Sequence, residues 1–293
     1  MFKSDKLMLH ALVIFSLTVL LTGFNYSTIS TRAQQPQPQA TPRPPKKKLQ
    51  ANANFAQYAG RDSSNRMIAG GASRNLGSDA DKYRKDGETA YEAGKYDEAV
   101  AAFRKASGLM PNDARGFYNL GASYEALGHN AEAIEAYRKA IELAPKDAYA
   151  YYNLGNVYAA QNESQKAVEA YRKVVELAPQ EAVAHYNLGL AEAAAGQMKE
   201  AIDAFKSAVG LKPDFELAHY NLGIAYGAME QYKEAAAAFR EAARLKPEHA
   251  EAHFNLGLAH LALNERDAAQ AEIKILQTLK PELADKLKSL RDQ

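Results

Sequence analysis

From residue 80 onward, apolar side chains recur at helical spacing in paired stretches, with polar residues between them. In one such pair Tyr151, Leu154 and Tyr158 mark the first stretch, and Ala167, Val168, Tyr171, Val174 and Val175 mark the second. Steps of three and four place each set on one face of a helix. Between the two stretches stands a residue suited to a left-handed helix stop: Gly94, Gly128, Asn162, Gly196 and Asn264 in five cases, with Glu230 the departure. The whole pattern returns every 34 residues, marked by Pro111, Pro145, Pro179, Pro213, Pro247 and Pro281. Gly87, Gly121, Gly155, Gly189, Gly223 and Gly257 keep the same interval. A fixed period of this length predicts stacked copies of one helix pair.

With each proline taken as position 32, glycine falls at position 8 and alanine at position 20: Ala99, Ala133, Ala167, Ala201, Ala235 and Ala269. Position 24 is large and apolar or aromatic, as Phe103, Tyr137, Tyr171, Phe205, Phe239 and Ile273. Glycine and alanine leave no bulk where paired helices cross, and the large residue fills the space beside them. In these positions the chain resembles the tetratricopeptide repeat family over residues 80 to 283, without insertion or deletion. The family's tryptophan at position 4 is absent; Tyr83, Phe117, Tyr151, His185, His219 and His253 stand there. The resemblance implies an all-α chain, a right-handed α-solenoid superhelix of six helix pairs. Their bounds are 80–113, 114–147, 148–181, 182–215, 216–249 and 250–283. One pair cannot bury both of its faces, so the ends need a polar cap. The amphipathic run Leu283 to Leu290 predicts a capping helix within residues 282–293.

The residues before the array differ in composition. Lys3 and Lys6 precede an apolar stretch from Leu7 to Leu21, and Thr31-Arg32-Ala33 offers small residues for a signal peptidase. Residues 1–33 are therefore expected to be either a cleaved export signal or, through the stretch Leu7 to Phe24, a retained inner-membrane anchor. Both place the array outside the cytoplasm, periplasmic or extracellular, with the basic start inside. Phe24 stands where a lipoprotein signal would need cysteine. Residues 34–79 are rich in Gln, Pro and Gly and carry 7 basic against 2 acidic residues, which predicts a disordered basic linker. Residues 80–293 carry 26 basic against 32 acidic residues, which argues against nucleic acid as a partner.

Catalytic signatures are lacking. There is no cysteine, no HExxH, no glycine-rich phosphate loop and no GxSxG turn. Acid pairs such as Glu132 with Glu135 read as solvated helix faces. His185, His219 and His253 recur at one position of successive repeats, too far apart to share an ion, and are expected to pack or hydrogen-bond. The expectation is a non-enzymatic protein without metal or cofactor.

The resemblance places the first helix of each repeat along a concave groove, through positions 2, 5, 6, 9, 12 and 13. Position 5 then supplies Arg84, Tyr118, Tyr152, Tyr186, Tyr220 and Phe254, and position 6 an amide row of Asn119, Asn153, Asn187, Asn221 and Asn255. Asparagine can donate to a peptide carbonyl and accept from its N–H. A similar ladder in the O-linked N-acetylglucosamine transferase family holds a peptide backbone, which implies the same for these five. Arg84 and Arg115 give the groove a charged mouth, while Leu190, Leu217, Ile224 and Leu258 make its later repeats aliphatic. A carboxylate clamp of the kind this family uses on chaperone tails is matched only by Arg84 and Asn119. The expected partner is a protein segment with apolar side chains, captured during envelope assembly or secretion. A carbohydrate-binding or complex-organising subunit of a polysaccharide export system is the alternative.

Overall fold

The computed structural model describes residues 71–293, with side chains from Gly77 onward. The segment expected to be an export signal or anchor, residues 1–33, and most of the expected linker lie outside the described residues. Among those described, no helix is long and apolar enough to cross a membrane.

All thirteen elements are helices, and no strand occurs among the described residues. They form two compact units. The first contains α1 (Gly71–Glu92), α2 (Tyr96–Leu109), α3 (Ala114–Ala126), α4 (Asn130–Leu143) and α5 (Ala148–Ala160). Here α1 pairs with α2 and α3 with α4, while α3 also packs on α2 and α5 on α4. The second contains α6 (Ser164–Leu177), α7 (Ala182–Ala194), α8 (Met198–Leu211), α9 (Glu216–Ala228), α10 (Tyr232–Leu245), α11 (Ala250–Ala262), α12 (Arg266–Leu279) and α13 (Pro281–Arg291). Its pairs are α7 with α8, α9 with α10 and α11 with α12; α6 packs on α7 and α13 on both α11 and α12.

Two boundaries differ from the sequence reading. Helix α1 begins at Gly71, inside the segment expected as linker, because a helix once nucleated gains a hydrogen bond for each residue added. The cap begins at Pro281, whose missing N–H costs nothing in the first turn.

Close helix crossing explains the periodic small residues. A Cβ on Gly121 would stand 2.8 Å from the Tyr137 ring, and one on Gly223 would stand 2.7 Å from Phe239. The alanines at position 20 are buried in every pair. The turns between paired helices are left-handed at all six stops described, including Glu230 at φ 59°. A side chain with a Cβ is strained there, so the Glu230 turn is held by its neighbours, among them the Gln231 N–H donating to the Tyr226 carbonyl at 2.9 Å.

The last pair departs from the pattern in a physically connected way. Its position 24 is Ile273, and the side chain lying against Gly257 is Leu287 of α13. Leu287 joins Ala250, Phe254, Leu258, Ile273, Leu276 and Ala284 in one core cluster, with Leu283 and Leu290 at its edge. The cap thus supplies the bulk that the helix pair itself lacks.

Candidate functional site

The tyrosine and asparagine rows meet each other. The Nδ2 of Asn153 donates to the Tyr118 hydroxyl at 2.9 Å, that of Asn221 to Tyr186 at 3.1 Å, and that of Asn255 to Tyr220 at 3.0 Å. Asn221 Nδ2 also reaches the Leu217 carbonyl at 2.9 Å. Each bond ties position 6 of one repeat to position 5 of the repeat before it. Asn187, Asn221 and Asn255 are buried, as are Tyr186 and Tyr220, whereas Tyr118, Asn119, Tyr152 and Asn153 are half-buried. Burial pushes the Tyr118 and Tyr220 hydroxyls well above their ordinary titration range, keeping them neutral. Ring contacts extend the strut: Phe215 lies 4.8 Å from Tyr186, and His249 lies 4.6 Å from Tyr220.

This geometry changes the groove expected from sequence. The amide donors of Asn153, Asn221 and Asn255 are directed at phenol hydroxyls of the preceding repeat. Before Asn119 the corresponding residue is Arg84, which has no hydroxyl to offer. Phe254 and Leu258 leave the groove altogether, because α13 packs over them and Leu258 is only 4% exposed.

If the ladder is a strut, breaking one rung should cost stability without any ligand present. Asn255→Ala and Tyr220→Phe are each expected to destabilise the last repeats by about 1 kcal/mol. The double variant should cost little more than either alone, which a double-mutant cycle in denaturant would read.

Leu177, Leu211, Ile275 and Leu279 are exposed near the ends of second helices, and the first helices α7 and α9 leave apolar side chains open at positions 2 and 9. Val183 and Leu217 are 43% and 45% exposed, and Leu190 and Ile224 are half-buried. Residues seven apart lie two turns apart on one helix face, so each helix presents a pair of them. Their inner edges are anchored: Leu190 packs on the cluster around Phe205, and Ile224 on that around Phe239. In the first unit the corresponding face is polar. Arg84 donates to Asp81 at 2.7 Å and Glu88 at 3.4 Å, and the Asp81 hydrogen bond holds its guanidinium above the ordinary arginine range. Arg115 is exposed and reaches Asp113 at 3.4 Å. Tyr137 donates to Glu125 at 2.7 Å, and burial raises its hydroxyl far above the usual value.

The recurring histidines serve packing. The Nε2 atoms of His185, His219 and His253 lie 2.9, 2.9 and 3.0 Å from the carbonyls of Pro179, Pro213 and Pro247. Each thereby satisfies a carbonyl in the turn before its own helix. No group of three histidine or carboxylate side chains able to hold a metal occurs among the described residues.

Sequence reasoning missed a second series of contacts between repeats, from position 25 to position 11 of the next. Arg104 lies over the Tyr124 ring at 5.5 Å, Arg138 donates to the Tyr158 hydroxyl at 2.7 Å, and Arg172 pairs with Glu192 at 3.0 Å. Burial raises Glu192 from the ordinary carboxylate range, and Arg172 opposes that shift. The signal was available as a basic residue at position 25 of all six repeats.

Comparison with known proteins agrees with this architecture. A tetratricopeptide repeat family model matches residues 118–182, 152–214 and 220–283, and a TPR repeat model matches residues 87–128. Among solved structures, MamA is 30% identical over 60% of this chain and 96% of its own, with a TM-score of 0.56. MamA of Desulfovibrio magneticus RS-1, from its residue 41 to the end, is 28% identical over 59% of this chain and 98% of its own, with a TM-score of 0.56. YrrB, described as a TPR protein with an unusual peptide-binding site, is 26% identical over 65% of this chain and all of its own, with a TM-score of 0.59. No curated protein sequence matches the chain.

Proposed function

The chain belongs to the tetratricopeptide repeat family and is a protein–protein interaction scaffold; from that premise we propose that it captures an apolar protein segment outside the cytoplasm, during envelope assembly or secretion. The observation that carries this reading is the row formed by Val183, Leu190, Leu217 and Ile224, aliphatic side chains left open on α7 and α9. Covering such surface is favourable by about 25 cal/mol per Å². The peptide-binding site in YrrB's description supports a peptide ligand for a chain of this kind. The basic, apolar, then small-residue order of residues 1–33 supports export.

Affinity in this proposal rests on apolar contact, with the asparagine ladder acting as support beneath it. The carbohydrate alternative is weakened by the same geometry. Sugars stack on open ring faces, and of the position-5 rings Tyr186, Tyr220 and Phe254 are covered, leaving only Tyr118 and Tyr152 half-buried. Arg84 and Arg115 would act on encounter, through long-range attraction that salt screens.

Full-length protein expressed with its own N-terminus and cross-linked in cells tests both parts. Mature chain starting near Gln34, or intact chain in the membrane with the array reachable from outside, is expected; an array protected in the cytoplasm would refute export. Leu190→Glu with Ile224→Glu should weaken capture of the cross-linked partners about tenfold, the worth of roughly 1.4 kcal/mol of lost apolar contact. Arg84→Glu should chiefly change the salt dependence. Unchanged capture by the folded double variant would move the binding surface elsewhere.

A further inference from the structure

The two units close their position-5 rings differently. In the second unit Tyr186 lies against Phe215 and Tyr220 against His249, each the last residue of its repeat. In the first unit the residue at that place after Tyr118 is Asp147, which caps α5 by accepting from the Tyr149 N–H at 2.9 Å. An aspartate carries no ring, and Tyr118 is half-buried where Tyr186 and Tyr220 are buried. Tyr149 and Tyr152 of α5 are half-buried too. A second carboxylate stands close by: Glu125 accepts from Tyr137 at 2.7 Å, and the Tyr137 ring lies 5.9 Å from that of Tyr118. Burial chiefly, and then the charges of Asp147 and Glu125, hold the Tyr118 hydroxyl above its usual range, against the Asn153 hydrogen bond. The first unit therefore presents partly open rings beside two carboxylates.

A face of this kind suits a particular ligand. Proline-rich segments bind aromatic-lined grooves, because a backbone already extended by its prolines loses little entropy on docking. Cations are drawn both to ring faces and to carboxylates. The chain carries such a segment itself in Pro42-Arg43-Pro44-Pro45-Lys46-Lys47-Lys48, and no acidic residue stands between Asp5 and Asp62 to offset its charge. Reach is ample. The 22 residues between Lys48 and Gly71 span up to about 70 Å when extended, against about 33 Å for the whole length of α1. A tether of this kind holds its segment near the face at roughly millimolar effective concentration, so modest contacts suffice. We propose that residues 42–48 of this chain dock on the face formed by Tyr118, Tyr149 and Tyr152, with prolines against the rings and basic side chains beside Asp147 and Glu125. The aliphatic row of α7 and α9 takes no part, so this docking does not depend on what that row captures.

Photo-cross-linking of the full chain in a neutral detergent provides the test, since a chain without cysteine accepts a single benzophenone at Leu49→Cys. Peptide mass spectrometry is expected to find the cross-links concentrated in α3 and α5. Replacing Arg43, Lys46, Lys47 and Lys48 by glutamine, or Pro42, Pro44 and Pro45 by serine, alters only the tethered segment. Each set should lower the yield on α3 and α5 about fivefold, the worth of one cation–ring or ring contact. Asp147→Ser keeps a capping oxygen for α5 while removing the carboxylate, and should lower the yield as well. Mixing isotopically heavy and light chains identifies the copy that is reached, and cross-links within one isotope are expected. Heavy-to-light cross-links would place the segment on a second copy and overturn the proposal, as would a yield spread evenly over the helices or undiminished in all three variants.

Discussion

Replacing Leu287 by alanine is expected to destabilise the C-terminal end of the array by about 2–5 kcal/mol, the range for emptying a fully buried leucine site. Leu287 has no exposed surface and supplies the side chain that lies against Gly257, where four other repeats present a ring of their own. Ile273 and Leu276, also fully buried, lose their cover when that side chain is shortened. The effect should be local. In a stacked array each repeat contacts only its neighbours, so hydrogen exchange should accelerate in α11 to α13 and leave α7 and α8 nearly unchanged. Removal of α13 entirely should expose the cluster around Phe254 and Leu258 and promote association, read by light scattering. A truncated chain that remains monomeric and equally protected would show that α13 does not cap the array.

A second large effect concerns a substitution that ordinarily stabilises helices. Gly223→Ala removes a poor helix former from the interior of α9, a change worth up to about 1 kcal/mol in a free helix. Here the new Cβ would meet the Phe239 ring at 2.7 Å, which forces the ring or the helix to shift. Overpacking of this kind costs about 1–3 kcal/mol, so a net loss is expected. Gly189→Ala should behave alike against Phe205. Gly210→Ala is the control, since nothing stands within 4 Å of its Cβ in α8, and it should be neutral or stabilising. Urea denaturation of the three variants would compare them directly. Stabilisation by Gly223→Ala would mean that the α9 to α10 crossing is looser than its geometry indicates.

The division between what was legible and what was not follows the range of the interactions involved. Helix pairing was readable because its determinants lie within a few residues or recur at a constant interval. Gly223 and Phe239 belong to one repeat, and the stop at Asn264 depends on its own turn. The position of the cap was readable from Leu283, Leu287 and Leu290 by their spacing alone. Its consequence for Phe254 and Leu258 was not, since covering them depends on where α13 folds back and not on its composition.

The binding face shows the same limit more sharply. Sequence placed aromatic rings and amides side by side at positions 5 and 6 and left both free for a ligand. Stacking instead brings Asn221 to Tyr186 across 35 residues, and the amide finds a partner inside the protein. An asparagine carries the same donors whether it meets a peptide or a phenol, so residue type could not distinguish these outcomes. The aliphatic row was recoverable from sequence at Leu190, Leu217 and Ile224, yet only the packed structure separates them from Leu258 by exposure. Likewise His253 reads as one of three equivalent histidines until Glu272 arrives from the next helix. Sequence by itself determined the helices, their period, their stops and the family, because hydrophobic spacing and backbone conformation are local properties. Tertiary structure decided which polar groups are consumed between repeats and which apolar ones stay open, because burial belongs to neighbours distant in the chain.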